Sequence, residues 1–423
     1  MKKLLILGAG TAGTVIANKM VRKLPAKEWQ VEVVDQDPVH YYQPGFLFMP
    51  FGIYGEKDVV KPKKRFLSRK VNLRMGTIER IDADTNKVYL ENGDSVHYDL
   101  LVIATGTTPR PDEIEGMEGD DWGRDVHEFY TFDGSCKLAR RLREWKGGRM
   151  VINVAEMPIK CPVAPLEFAF LADWWLTKNG LRDKTEIHYV TPLSGAFTKP
   201  VATERLQHML DERRIHVETD FAIGSVDNDK KRIVSWDDRA VDYDLLVAVP
   251  TNMGADAMER SGLGDELNFV PTDKETLRSL ARENIFVIGD ATDLPASKAG
   301  SVAHFEAEIL EENLLAVVAG KELEARFDGH SNCFVETGYG KGMLIDFNYE
   351  TEPLPGTFPF AKLGPMPLLK ESRINHWGKL MFRHVYWHAL LPGLPLGIGP
   401  HMSLKGKRTD LLKRNSPVLA GAR

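Results

Sequence analysis

At 423 residues, with 43% hydrophobic and 27% charged positions, the chain is long and apolar enough for two or three globular domains and is not a disordered protein. A net charge of −5 gives no overall attraction for nucleic acid, although the last stretch is locally basic, setting Lys405, Lys407, Arg408, Lys413 and Arg414 against Asp410. Three cysteines, Cys136, Cys161 and Cys333, exclude a disulfide scaffold and lack zinc-finger spacing, and no apolar run approaches the ~20 residues of a membrane-spanning helix.

Met1-Lys2-Lys3 runs directly into Leu4 to Leu7, which reads as a first strand rather than a secretory signal, because no small-residue cleavage site precedes it; folding in the cytoplasm is expected. Gly8-Ala9-Gly10-Thr11-Ala12-Gly13 follows, then a helical stretch to about Leu24. This GxGxxG stands in a strand-turn-helix setting. Gly8 permits the tight turn, Gly10 lets the backbone approach a pyrophosphate, and Gly13 lets helix and strand pack closely. A strand from Gln30 to Val34 ends in Asp35, about twenty residues past the last glycine, where an acid accepts from a ribose hydroxyl.

An internal echo comes next: Tyr98-Asp99-Leu100-Leu101-Val102 recurs as Tyr243-Asp244-Leu245-Leu246-Val247. Two Rossmann-like halves are implied, the second opening with the strand Arg149 to Val154. Its turn reads Ala155-Glu156-Met157-Pro158-Ile159-Lys160-Cys161-Pro162, without a glycine, and the following strand, Thr185 to Val190, ends in Thr191-Pro192 instead of an acid. Both elements that would hold NAD are missing, since the glycine roles are steric. A further buried strand, Asn284 to Ile288, leads through Gly289-Asp290 to a helix from about Ala299. Asp290 is a ligand to a bound cofactor or a helix-side cap.

The sequence GAGTAG, the acid Asp35, Ala104-Thr105-Gly106 and Gly289-Asp290-Ala291 together resemble the two-dinucleotide-binding-domain flavoproteins. Within them, Lys160-Cys161-Pro162-Val163-Ala164-Pro165 and Ser331-Asn332-Cys333-Phe334-Val335-Glu336-Thr337-Gly338 resemble the sulfide:quinone oxidoreductases. The resemblance implies an α/β fold of two Rossmann-like dinucleotide-binding domains plus a C-terminal amphipathic helical segment. Residues 1–115 and 263–325 would bind FAD, 116–262 would form the second Rossmann-like domain without an NAD site, and 326–423 would form the quinone and membrane-interface region. FAD would rest on Gly8, Gly10, Gly13, Asp35, Gln43, Ala104, Thr105, Gly106, Gly289, Asp290 and Lys298, and would not be reduced by NADH or NADPH.

The resemblance further implies that Cys161 and Cys333 form a redox bridge that sulfide attacks. Lys160 and the helix start at Val163 to Glu167 suggest an environment that favours the Cys161 thiolate. Glu167, six residues on, is the candidate proton shuttle, the alternative being a solvated helix glutamate. A further cysteine links covalently to flavin in many relatives, but Cys136 sits in a polar helical run at different spacing, so non-covalent FAD is expected. His40 and His304 lie near the flavin or are structural. His384 and His388 have i,i+4 spacing but no third ligand, and no metal is expected.

From Leu368 the pattern is one of short amphipathic helices. Trp377, Leu380, Met381 and Val385 share a face, with Lys379 and Arg383 beside it. That face suits the membrane surface, or else dimerisation or core covering. The partners implied are sulfide and a membrane quinone, with Lys341, Phe382 and Tyr386 as quinone candidates, in a peripheral membrane protein whose self-association is compatible with the pattern. Because the flavin motifs all precede Leu368, a chain cut there is expected to keep its flavin. The competing readings are a flavocytochrome c sulfide dehydrogenase-like subunit and a non-catalytic sulfur-binding flavoprotein.

Overall fold

A computed structural model describes residues 1–360 and 364–411; Lys413 and Arg414 of the basic stretch lie outside the described residues. Two five-stranded parallel sheets organise it. The first runs in the order Ile285–Val287, Leu100–Ile103, Lys2–Leu7, Trp29–Asp35, Asn72–Met75. The second runs Val126–His127, Leu245–Val249, Gly148–Val154, Thr185–Val190, Ile215–Glu218. Their central strands, such as Leu4 to Leu7 and Leu245 to Val249, are continuous apolar runs, all buried, because both faces are covered. Helices lie on one side, and on the other a three-stranded antiparallel sheet packs, Ile81 and Val88 against Leu5 and Leu7 in the first half, Ile223 and Ile233 against Leu246 and Ala248 in the second.

The echoed pentapeptide has a structural cause. In the first half Leu4 lies beside Leu100, and the Asp99 carboxylate accepts from the Lys3 amide at 2.6 Å. In the second half Met150 lies beside Leu245, and Asp244 accepts from the Arg149 amide at 2.7 Å. Each aspartate pins the entry of the sheet's leading strand, and the apolar residues after it fill the neighbouring strand.

The strands Thr108–Arg110 and Thr251–Met253 pair antiparallel where the chain passes between the halves. The helix Asp256–Arg260 packs against the hairpin strand Ile78–Asp82 of the first half, with the Arg260 guanidinium donating to Glu79 O at 2.7 Å. The chain has therefore rejoined the first half before residue 263.

The C-terminal region begins with a sheet of Ser331–Gly338, Lys341–Phe347, Met366–Leu368 and Gly356–Phe358. It ends in the helix Arg373–Val385, capped by Ser372 on the Asn375 amide, and a π-helical turn Tyr386–Leu390. That turn is core. Tyr386, Trp387, Leu390 and Leu391 are buried, and the Asn18 side chain, on the first helix Thr11–Lys23, donates to Leu391 O at 2.8 Å. The expectation that the chain could be cut at Leu368 without disturbing the flavin body fails for this reason: the cut would strip side chains that complete its core.

Candidate active site

The first glycine turn leaves a cradle. Gly8 has φ +96, and a Cβ there would lie 2.4 Å from Ala104 O; a Cβ on Gly13 would lie 1.9 Å from Gly8 O. These two glycines exist for close packing. Gly10 differs: a Cβ on it would meet nothing within 4 Å, so the space in front of it is empty. It stands at the N-terminus of helix 11–23, which has no side-chain cap and no acid in its first turn. Free amides and a positive dipole end facing empty space fit a pyrophosphate.

That space belongs to a cavity of about 1250 Å³. Gly8, Gly10, Asp35, Gln43, Ala104, Thr105, Gly106, Gly289, Asp290 and Lys298 line it, while Gly13 stands behind as the packing residue. The Thr105 and Thr107 hydroxyls on its wall are buried without partners, as is His304 Nδ1. Such orphaned groups fit a ligand that supplies hydrogen bonds. Asp35 is already engaged, accepting from the Ala9 amide at 2.5 Å and pairing with Lys63 at 2.6 Å, which orients its carboxylate at the strand end.

Two expected contacts are different in detail. The Lys298 ammonium donates to Asp290 O at 3.1 Å and Thr292 O at 2.6 Å, so its charge braces the turn that carries Asp290. Burial pushes the Asp290 carboxyl up, against the pull of Lys298 and Lys160. Lys160 Nζ reaches Gln43 Oε1 at 3.2 Å and Thr107 O at 3.4 Å, turning a residue of the glycine-free turn into a lining group of the first half's cavity.

Cys161 and Cys333 both line this same cavity, as does Glu167. Cys161 holds φ +49, a left-handed conformation rare for a side-chain-bearing residue, fixed by its amide on Lys298 O at 2.7 Å and by the Ala164 amide on its carbonyl at 2.8 Å. Cys333 comes from the strand 331–338, in register with Ile345. Both are free thiols within electrostatic reach of each other.

The expected thiolate-favouring environment is corrected. Burial, then Glu167, pushes the Cys161 thiol up strongly, and burial raises Cys333 to about 12; the Lys160 ammonium is bonded to Gln43 instead. The cation that opposes this rise at both sulfurs is Lys379.

Lys379 lies on helix 373–385 and pairs with Glu167 at 2.8 Å while donating to Phe334 O at 2.9 Å. Glu167 is fully buried and also accepts from the Glu336 amide at 2.5 Å, so it is no solvated surface glutamate. Burial raises its carboxyl, with Lys379 pulling against that rise; burial opposes the Lys379 charge, but Glu167 and the thiols overcome it and hold its pKa high.

Sequence reading set Lys379 beside a membrane face and missed this role. The available signal was its wheel position: Asn375, Lys379, Phe382 and Tyr386 share one face at helical spacing, and that face points inward.

Of the quinone candidates, Phe382 and Tyr386 line the cavity and Lys341 does not. Lys341 opens a strand just after the tight turn at Gly338 to Gly340, so it points outward and stands 4.0 Å from Glu371. The Tyr386 hydroxyl is already shared by His40 Nε2 at 2.6 Å and Thr11 Oγ1 at 2.7 Å, which sets it at the cradle end. Burial, then Lys63, holds His40 down at about 4, a neutral imidazole. Where the C-terminal region lines the cavity the partly exposed wall is apolar, a mouth formed by Phe358, Met366, Met381, Val385, Leu396 and Ile398, whereas the exposed lining elsewhere, Gln36, Glu91, Asp133 and Asp256, is polar. Leu380 is half-buried rather than part of the exposed face. Cys136 does not line the cavity. Among the described residues, no group of three or more His, Cys, Asp or Glu could hold a metal ion.

Residues 2–152 match the pyridine nucleotide-disulphide oxidoreductase family. A sulfide:quinone oxidoreductase from Dictyostelium discoideum is 28% identical over 398 residues, covering 92% of this chain and 86% of the relative. One from Mus musculus is 26% identical over 401 residues, with coverage of 92% and 86%. The crystal structure of the sulfide:quinone oxidoreductase of Aquifex aeolicus superposes with a TM-score of 0.80 over 94% of each chain at 17% identity. The chain is therefore a homologue, over nearly its whole length, of the sulfide:quinone oxidoreductases within the two-dinucleotide-binding flavoproteins, whose cofactor, FAD, the glycine-lined cavity fits.

Proposed function

We propose that the chain is an FAD-dependent sulfide:quinone oxidoreductase that oxidises sulfide to sulfur carried as persulfide or polysulfide. Its relatives over nine-tenths of the chain support the activity. The observation that carries the reading is that Cys161, Cys333, the Gly10 cradle and an apolar mouth all open onto one cavity.

In this reading Cys161 and Cys333 are joined in the resting enzyme. Hydrosulfide attacks one sulfur, a new S–S bond forms as the Cys161–Cys333 bond breaks, and the products are a persulfide on one cysteine and a thiolate on the other. Glu167, buried beside both sulfurs with a raised carboxyl, takes the proton of the attacking hydrosulfide. Lys379 is the counter-charge for the thiolate set free. The glycine turn, Asp35, the Ala104 to Gly106 turn and the Gly289-Asp290 turn hold the cofactor. FAD bound there supplies the two-electron acceptor between the thiolate and the quinone. A quinone enters through the apolar mouth beside Phe382.

Cys136, half-buried away from the cavity, supports non-covalent FAD; acid precipitation should release the flavin intact. No described helix is long and apolar enough to cross a membrane, and the exposed Trp377 and Met381 of helix 373–385 support peripheral attachment. In the experiment that tests the activity, sulfide added anaerobically bleaches the flavin absorbance while NADH leaves it unchanged, and an added short-chain quinone restores it. Bleaching by NADH, or none by sulfide, rejects the assignment.

A further inference from the structure

Helix 373–385 leaves an apolar stripe bare. Ile374, Trp377, Met381 and Val385 recur at three- and four-residue spacing and are all exposed, Trp377 at 62% and Met381 at 54%. Alongside it runs a strap from the first half of the molecule, residues 56–70. Arg383 pairs with Asp58, the Tyr54 hydroxyl donates to Leu380 O at 3.4 Å, and Lys61 Nζ stands 4.5 Å from the centre of the Trp387 ring. Phe66 stacks on that same ring at 4.8 Å. The strap and the helix therefore share one surface.

The strap is cationic in a chain whose net charge is −5. It carries Lys57, Lys61, Lys63, Lys64, Arg65, Arg69 and Lys70 against Glu56 and Asp58. Lys63 is buried on Asp35, and Asp58 is taken by Arg383. Among the described residues the other cations of the strap form no ion pair, and all but the half-buried Lys61 are exposed. Burial, then Arg65 and Arg383, holds Lys61 below its usual value, as crowded like charges do. A concentration of unpaired positive charge attracts an anionic surface.

We infer that stripe and strap form one docking face for a bilayer rich in anionic phospholipid, the stripe entering the interface and the strap resting on lipid phosphates. The inference rests on reading helix 373–385 as a membrane-surface helix and adds the lipid class. A row of unpaired cations beside an apolar face matches a sheet of negative charge over an apolar interior. The same plane turns the cavity mouth toward the acyl chains, because Met381 and Val385 belong both to the stripe and to the cavity wall.

The test is co-sedimentation of the full-length, FAD-loaded protein with vesicles of phosphatidylcholine alone and of phosphatidylcholine mixed with phosphatidylglycerol. The expected result is much tighter binding to the mixed vesicles, weakened by salt, with Lys64→Gln/Arg65→Gln/Lys70→Gln losing roughly a hundredfold of that affinity. This variant keeps its flavin and its activity with a water-soluble quinone. Ile374→Ser/Trp377→Ser loses binding to both vesicle types. Equal binding of the wild type to both vesicles, abolished by Ile374→Ser/Trp377→Ser, overturns the lipid class while leaving surface docking intact. No vesicle binding at all rejects docking itself, and with it this inference. Retention on soluble polyglutamate as strong as on mixed vesicles assigns the strap to an acidic protein and overturns the inference as well.

Discussion

The two halves of this molecule fold alike and do opposite things at the same place. In each, a leading strand enters a parallel sheet, an aspartate pins its second residue, and a turn leads into a helix. In the first half that turn is stripped of side chains, so the space before Gly10 stays open. In the second half the turn carries full side chains, and its last residues, Lys160 and Cys161, cross into the first half's cavity. One topology thus leaves open space when its turn is glycine and carries side chains into a neighbouring cavity when it is not.

The sharpest way to break the comparison is within the first turn itself. Gly10→Val should leave a folded, soluble protein that purifies without FAD, because its side chain enters open space that the pyrophosphate needs. Gly13→Val should instead fail to fold, since its Cβ would collide with Gly8 O at 1.9 Å. Flavin content and melting temperature together separate the two outcomes, and a flavin-bearing Gly10→Val would remove the cradle assignment.

The second turn is tested through its sulfur. Cys161→Ser and Cys333→Ser should each keep FAD and slow sulfide-dependent flavin reduction by at least about a thousandfold, because serine preserves shape but forms no reducible bridge. Cys136→Ser is the internal control, expected to reduce its flavin within about twofold of the wild-type rate, because Cys136 is half-buried away from the cavity and serine keeps its shape. Wild-type rates in either of the first two variants would leave the cysteine pair without a role.

Much of this was legible because it is written in local pattern. The first turn was readable from glycine spacing, the emptied second turn from the absence of the same spacing, and the halves from the repeated Tyr-Asp-Leu-Leu-Val. What the sequence concealed depends on contacts between distant segments. Lys160 looked like the cation that would serve the Cys161 thiol, yet its ammonium is bonded to Gln43 and Thr107, and the cation that acts on the sulfur is Lys379. Lys379 is 212 residues from Glu167, and only the docking of the last helix on the strand 331–338 unites them. The π-helical turn after that helix looked dispensable for the flavin body because no motif marks Tyr386, whose partners His40 and Thr11 lie more than three hundred residues away.

The smallest effect worth measuring concerns that Lys379–Glu167 pair, where the C-terminal region meets the delivering turn. Lys379→Met keeps the stem's bulk but leaves a buried carboxylate alone. Breaking a buried pair from one side costs about 3–5 kcal/mol when the remaining group stays charged. Glu167 escapes that cost by taking up a proton, and its carboxyl is already raised by burial, with Lys379 the main group opposing the rise. A carboxyl raised in the folded state favours folding below its unfolded value and loses that contribution as pH climbs through the folded value. The variant should therefore match the wild type most closely at acid pH and fall progressively behind as pH rises, its melting temperature dropping most at the alkaline end of the range. Glu167→Gln/Lys379→Met, with no charge left to bury, should be flat across the same range. Sulfide-dependent flavin reduction in Lys379→Met should slow about tenfold, the rate cost of losing about 1.4 kcal/mol of stabilisation at the freed thiolate. A deficit that shrinks as pH rises would show that Glu167 is charged and otherwise compensated, and that Lys379 does not govern the site.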